Sequence, residues 1–347
     1  MPNTWPDVLT GLIAGRDLTS DTARWAMDQI LAGDATGVQI AGFAVALRAK
    51  GETVAELAGL ADAMLDRATP LELPRAAVDV VGSGGDRANT VNISTMAAIV
   101  AASAGVPVVK HGNRAASSAC GTADCLEALG VALNVAPAAQ PRVLEQAGIV
   151  FLFAPLYHPS LRHAGAARRE LGVQTAFNFL GPLANPARPV AQAIGCANRT
   201  LAPRVAGVVA GRGHRGLVFH GADGLDELTT TTTSLVWLIA DGEVTQTELD
   251  PADLGLAPAS PESLVGADPV HNAEVVRQVL AGATGPIRDI VLLNAAAALL
   301  AHDGPSTRPV AEQLAPQLAR AAQAVDSGAA AALLERWVEA TTAAAKA

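Results

Sequence analysis

Asp79-Val80-Val81-Gly82-Ser83-Gly84-Gly85-Asp86 ends a short apolar run in three glycines within four positions, and Asn92-Ile93-Ser94-Thr95 follows shortly after. An apolar run that stops at glycine and restarts on an Asn-x-Ser-Thr helix opening predicts a strand, a turn and a helix N-terminus in close succession. Such a turn can hold phosphate. Glycine lets the backbone take positive φ and come close to a ligand, and the first N–H groups of the helix direct a partial positive charge at an anion. Ser94 and Thr95 place hydroxyls in the same first turn, where they can meet phosphate oxygens or a metal. The spacing is neither Gly-x-Gly-x-x-Gly nor Gly-x-x-x-x-Gly-Lys-[Ser/Thr], so neither a dinucleotide fold nor a P-loop follows. A glycine-rich βα turn without a ligand would show the same residues, so other motifs must decide.

The chain of 347 residues is 50% hydrophobic, enough for one large domain and a small one. Its apolar residues come in short runs broken by Gly, Pro or charge, with none of the ~18-residue stretches that span a bilayer. Met1 to Arg16 has no basic segment before an apolar block, so no signal peptide is expected. Cys120, Cys125 and Cys196 lack metal-ligand spacing and are expected to be buried reduced thiols in a cytoplasmic protein. A formal charge of −9 argues against general nucleic-acid binding. Between Lys110 and Arg169, however, six Lys/Arg face three Asp/Glu. One basic region in an acidic chain suits a small anionic ligand.

Thr36-x-x-Gln39 and Thr53-x-x-Glu56 each fit a capping box and each introduces helical periodicity, with Gly51 placed as a C-terminal cap. With helix-like segments at 7–14 and 21–31, residues 1 to about 68 form a compact helical unit, and Pro70 and Pro74 bracket its exit. From Val78 onward, strand-like runs at 77–81, 106–109, 149–153, 190–196 and 216–220 alternate with helical segments near 93–104, 122–129, 138–147 and 200–211. That order predicts an α/β domain with a largely parallel sheet and ligands at the carboxyl ends of its strands. Val236 to Glu248 reads as a hairpin turning at Asp241-Gly242, and Ala-rich helix runs from Asn272 to the end.

Three further motifs carry chemistry. Lys110-His111-Gly112-Asn113-Arg114-x-x-Ser117-Ser118-x-x-Gly121-Thr122 follows a strand and is dense in charged, amide and hydroxyl donors, a mixture suited to a sugar phosphate. His111 read alone is an ordinary structural histidine and is not assigned as a general base. Arg168-Arg169-Glu170-Leu171-Gly172 closes a helix, where cations favour the dipole in any case, and Asn178-x-Leu180-Gly181-Pro182-Leu183-x-Asn185-Pro186 follows. Gly224-Leu225-Asp226-Glu227-Leu228 comes just after the strand at 216–220 and leads into five threonines. Two adjacent carboxylates at a strand edge, in a chain with a separate phosphate loop, fit magnesium, which takes hard oxygen ligands and fills its shell with water and substrate phosphate.

Taken together and in order, these motifs closely resemble the anthranilate phosphoribosyltransferase family over essentially the whole chain. The resemblance implies a homodimer with a small helical domain (1–72, joined by helices near 165–187) and a large α/β domain (75–347) of the nucleoside-phosphorylase type. It implies transfer of the phosphoribosyl group of phosphoribosyl pyrophosphate to anthranilate in tryptophan biosynthesis, with Mg2+ as cofactor and the dimer contact on the N-terminal helices. By position, Gly82, Gly85, Asp86, Asn92, Ile93, Ser94 and Thr95 would hold phosphoribosyl pyrophosphate, with Thr90 nearby. Lys110, His111, Gly112, Asn113, Arg114, Ala115, Ala116, Ser117, Ser118 and Thr122 would surround its pyrophosphate and ribose, Lys110 acting electrostatically. Gly82, Asn113 and Arg168 would contact anthranilate, Arg168 through the carboxylate, while Ser94, Asp226 and Glu227 match the magnesium ligands. Departures are Ser83 where the family usually has Thr, Thr122 where Ser is common, and Arg87 in place of a smaller residue, which alters charge beside the phosphate. A pyrimidine nucleoside phosphorylase of related fold is the competing enzyme, against which the Lys-His-Gly-Asn-Arg and Gly-Leu-Asp-Glu motifs count. A relative that binds nucleotide or nucleic acid without turnover is disfavoured by the acidic pair, Arg168 and the net charge.

Overall fold

The computed structural model describes residues 3–115 and 119–346. Four helices open the chain: α1 (Trp5–Ile13), α2 (Ser20–Ala32), α3 (Gly37–Lys50) and α4 (Val54–Asp66). Both expected capping boxes form, Thr36 with Gln39 on α3 and Thr53 with Glu56 on α4. Trp5 packs edge-on against Phe43 with ring centroids 5.9 Å apart, and Met27, Ile30, Leu47, Leu57 and Leu60 complete a buried core.

The α/β part follows as β1 (Val78–Gly82), α5 (Ile93–Ser103), β2 (Val108–Gly112), α6 (Thr122–Leu129), α7 (Gln140–Ala147), β3 (Ile149–Phe153), α8 (Ala154–Tyr157) and α9 (Arg162–Leu171). It continues through β4 (Ala191–Gly195), α10 (Ala202–Gly211), β5 (Arg215–Gly221) and the hairpin β6 (Ser234–Ala240) and β7 (Glu243–Leu249). Then come α11 (Pro269–Leu280), α12 (Pro286–Asp303), α13 (Val310–Asp326) and α14 (Ala329–Ala345). The seven strands lie in the order β3-β2-β1-β4-β5-β6-β7, parallel through β5 and antiparallel beyond it. The hairpin turns at Asp241, whose φ of 52° is left-handed, and Gly242, as the Asp-Gly pair predicts.

Sequence order reverses between β1 and β4, so the crevice at their carboxyl ends is the topological switch point where ligands bind in open sheets of this kind. Helix α12, buried from Ile290 to Ala301, packs beneath β1, β4 and β5, and α5 lies beside it. On the other face the helical unit, α9 and α10 share a second core with Val81, Ile194 and Val218. The chain between α9 and β4 thus runs from the helical unit to the sheet, and both layers border the switch point.

Candidate active site

The floor of the site is built from missing side chains. Gly82 of β1 pairs with Gly195 of β4, and the segment carrying Asp226 lies directly over both. A Cβ on Gly82 would overlap the Asp226 carboxylate, and one on Gly195 would overlap the Asp226 carbonyl. Gly84, at φ 70°, can then donate its N–H to Asp226 Oδ2 at 2.6 Å. From below, Asn294 of α12 clasps Leu228 on both backbone groups, at 2.9 Å to N and 2.8 Å to O. This amide sets the position of the Asp226-Glu227 pair, and no local sequence signal points to it.

Lys110 and His111 belong to β2 itself, which runs on to Gly112 opposite Phe153, rather than to the loop expected after a shorter strand. The sheet therefore fixes the Lys110 side chain. Its Nζ donates to Val80 O at 2.5 Å and Ser94 Oγ at 3.2 Å. Burial pushes the ammonium down to about 8, while Asp79, Glu227 and Asp226 hold it up, so it is cationic at neutral pH. Asp79 is fully buried and pushed up to about 6; its two oxygens accept from His111 N–H and from the Asn185 side chain at 2.8 Å. Asp79 and Asn185 each stand in a motif read from the sequence, but nothing in the spacing pairs them or gives either a role in the site.

The acidic groups strain against one another. Burial and then the neighbouring Asp86 push Asp226 up to about 7, and burial followed by Asp226 raises Glu227 well above the usual carboxylate range. Like-charged oxygens held this close favour a cation among them. Among the described residues no three carboxylate, imidazole or thiol groups converge as a closed metal cage. The carboxylates of Asp226 and Glu227 with the Ser94 hydroxyl are hard oxygen donors of the kind magnesium uses when phosphate and water complete its shell.

Above this floor, α5 begins without a side-chain cap. Asn92 precedes it, but its amide donates to Cys120 O at 3.3 Å and its Oδ1 accepts from Asn272 at 2.9 Å. The Ile93 N–H turns back to Val91 O at 2.7 Å and the Ser94 N–H faces the Glu227 carboxylate, so the first turn of α5 is tied to the acidic pair. Gly82, Gly85, Asp86, Thr90, Asn92, Ile93, Ser94, Lys110, His111, Gly112, Asn113, Arg114, Ala115, Thr122, Arg168, Asp226 and Glu227 all line one cavity of about 340 Å3. Thr95 does not join them: it is 1% exposed, below the first turn, with no partner for its hydroxyl among the described residues. Ala116, Ser117 and Ser118 lie outside the described residues. Arg114 lines the cavity but already pairs with Asp124 at 2.7 Å and Glu127 at 3.0 Å on α6. Arg87 is exposed in a left-handed conformation at φ 61° and does not line the cavity.

At the helical side, Arg168 is half-buried with its guanidinium 5.7 Å from the centre of the Phe177 ring, and it meets no carboxylate among the described residues. Burial lowers its pKa, the mark of a cation without a counter-charge. Arg169, next to it, is exposed. Met64, His158, Leu161, Phe177, Asn178, Gly181 and Pro182 also line the cavity. Their apolar share suits an aromatic ring. His111 Nδ1 lies 3.1 Å from Gly181 O and His158 Nε2 lies 2.8 Å from Ala184 O, so each of these nitrogens carries a proton. Burial, then His158, pushes His111 down to about 3, and burial lowers His158. Both rings are neutral, in keeping with His111 not serving as a general base.

Residues 6–68 match the glycosyl transferase family helical bundle domain and residues 74–331 its a/b domain. The chain is 60% identical to the anthranilate phosphoribosyltransferase of Thermobifida fusca over 99% of its own length and 98% of that protein. It is 60% identical to that of Acidothermus cellulolyticus over 98% of this chain and 96% of the other. Among solved structures, anthranilate phosphoribosyltransferase from Thermus thermophilus superposes with a TM-score of 0.90 at 41% identity, covering 97% of this chain and 99% of that one. The Saccharomyces cerevisiae enzyme in complex with PRPP and Mg superposes with a TM-score of 0.87 at 26% identity over 98% of each chain. With 4-fluoroanthranilate bound, the yeast enzyme matches at a TM-score of 0.86 and 25% identity, again over 98% of each chain. Identity at this level over nearly the full length places the chain in the anthranilate phosphoribosyltransferase family.

Proposed function

We infer that the chain transfers the phosphoribosyl group of phosphoribosyl pyrophosphate to the amine of anthranilate, releasing pyrophosphate and N-(5-phosphoribosyl)anthranilate for tryptophan biosynthesis. One observation carries this reading: an unpaired guanidinium, Arg168, shares a cavity with a bare glycine loop, the Ser94 hydroxyl and a buried lysine. The first group suits a carboxylate and the others suit phosphate. The glycine loop at 82–85, Asn92 and the Ser94 hydroxyl would take the phosphoribosyl pyrophosphate, and Asn113 and Arg168 the anthranilate.

Magnesium would be held by Ser94, Asp226 and Glu227, and when bound it offsets the negative charge of the pyrophosphate. The sugar–oxygen bond breaks through a transition state with positive charge on the ribose and growing negative charge on the leaving group. Lys110, fixed by Val80 O and Ser94 Oγ, is preorganised for that negative charge and needs no reorganisation as it develops. The aromatic amine, a weak base, sheds its proton to water after attack. His111, at about 3, is too weak a base to take it. Orientation by Arg168 and Phe177 accordingly contributes more than proton abstraction.

Anthranilate is fluorescent, and its consumption by the protein is expected to require both phosphoribosyl pyrophosphate and magnesium; no consumption with both present would refute the reading. In the same assay, Arg168→Ala should raise the KM for anthranilate about 10- to 100-fold, the value of a charge-assisted pair. The KM for phosphoribosyl pyrophosphate should stay within about twofold. Equal changes in both would assign Arg168 a structural role.

The chain is also proposed to act as a homodimer through the N-terminal helices. Ile13, Val38 and Val45, on α1 and α3, are 79%, 83% and 45% exposed, an apolar face on a helical unit that buries its opposite side. Light scattering at micromolar concentration should report twice the chain mass, and Val38→Asp should shift the equilibrium to monomer. A wild-type monomer with full activity would refute this. The helical (1–72, with 165–187) and α/β (75–347) division and a cytoplasmic setting belong to the same proposal, supported by the two matched domains and by cysteines that are buried thiols.

A further inference from the structure

A second cavity, of about 350 Å3, lies at the amino-terminal edge of β4 and β5, and none of its lining residues lines the substrate cavity. Its walls come from both parts of the molecule: α2 and α4 of the helical unit on one side, and on the other the segment entering β1 and the turns before β4 and β5. Four arginines and two aspartates meet in it. Arg212 pairs with Asp62 at 2.6 Å. Asp66 is shared by Arg24 and, at the longer distance of 3.4 Å, by Arg188.

Arg75 has no carboxylate partner among the described residues. Its Nε donates to Arg188 O at 3.1 Å and its Nη2 lies 3.1 Å from His214 Nε2. A guanidinium cannot accept, so the imidazole accepts through Nε2 and is neutral. Burial, then Arg212 and Arg75, hold His214 down at about 4, in agreement with that assignment. Arg75 is thus fixed in position by two uncharged acceptors that leave its charge intact. The cavity carries two more positive than negative charges in a chain whose net charge is −9. Arg24, Arg75 and Arg188 are exposed at its rim: Arg75 presents a preset fork, and Arg24 and Arg188 share the single charge of Asp66, an excess of guanidinium that suits a planar or tetrahedral oxyanion.

We propose that this cavity is a second anion site, which takes a compact oxydianion, as carried by a phosphate monoester or a dicarboxylate, on Arg75 and Arg188 with Arg24 contributing from the helical unit. An occupant there links the two parts of the molecule on the side away from the substrates.

Calorimetric titration with inorganic phosphate and, separately, malonate tests this and tells the two sources apart. The wild-type protein should show one more binding event per chain than Arg75→Gln/Arg188→Gln, or Arg75→Gln alone should weaken that event at least tenfold. The one of the two probes that gives the event identifies the source. Turnover of anthranilate by these variants should stay within twofold, which separates the cavity from the active site. A selenate soak of wild-type crystals needs no variant and should place an anomalous peak beside Arg75 and Arg188. Equal binding of both probes by wild type and variants, or selenate confined to the glycine loop, overturns the proposal.

Discussion

Asp226→Asn or Glu227→Gln is expected to lower kcat/KM by on the order of 10²- to 10³-fold at fixed magnesium, the scale on which loss of transition-state charge stabilisation is felt. Each amide keeps the shape of the carboxylate. In Asp226→Asn the remaining carbonyl oxygen can still accept from Gly84 N–H, so the glycine loop stays in place while the charge is gone. A magnesium titration of the anthranilate assay separates a lost metal ligand from a general defect, because the apparent magnesium requirement should rise in both variants. An unchanged titration curve with wild-type turnover in both would remove the pair from the reaction.

The same substitution has a stability counterpart of opposite sign. Asp226 is pushed from the ordinary value of 3.8 up to about 7, so the native state holds this proton more tightly than the unfolded chain does. Stability of the metal-free protein is then lost as pH rises from about 4 to 7, and the whole cost is present above 7. Asparagine carries no charge to bury. Metal-free Asp226→Asn should therefore melt above wild type at pH 8 by differential scanning fluorimetry, with the gap narrowing by pH 5. Function keeps a destabilising group in place, as it does in many active sites.

Local spacing carries much of the architecture. The glycine-stopped run before Asn92 places β1 and α5, the capping boxes place α3 and α4, and the alternation after Val78 yields the parallel sheet. These are short-range signals with a physical cause in each case: a cap, a period or a turn. What sequence spacing cannot show are partners brought together by folding. Asn185 reaches Asp79 across 106 residues, and Asn294 holds Leu228 across 66, with no local signal that pairs them. Arg114, expected beside the substrate, pairs with Asp124 and Glu127, which stand three apart on one face of the next helix. Thr95 reads as a site residue from its place in the first turn, yet the turn directs Ser94 to the cavity and Thr95 into the core. Adjacent residues on a helix point some 100° apart, and at this turn the core takes Thr95 while the cavity takes Ser94.

Gly195→Ala is expected to be nearly as damaging as loss of a carboxylate, although Gly195 touches no substrate in the proposed reaction. It lies within β4 at the switch point, where its missing Cβ is what admits the Asp226 backbone, and its carbonyl accepts from Ser83 N–H at 2.9 Å. A methyl group there meets a carbonyl oxygen and carbon, not the end of a flexible side chain, so the segment must move as a unit. Asn294 resists that movement by holding Leu228 on both sides. Overpacking of this kind costs about 1–3 kcal/mol, and displacing a ligand-bearing segment by about 1 Å costs on the order of 10²-fold in rate. Gly82→Ala presses on the same residue at its other end, since its Cβ meets the Asp226 carboxylate, the proposed metal ligand itself. Turnover should fall and the magnesium requirement should rise in both Gly82→Ala and Gly195→Ala. Wild-type turnover in Gly195→Ala would mean that the Asp226 segment is free to shift and that β4 does not set the position of the acidic pair.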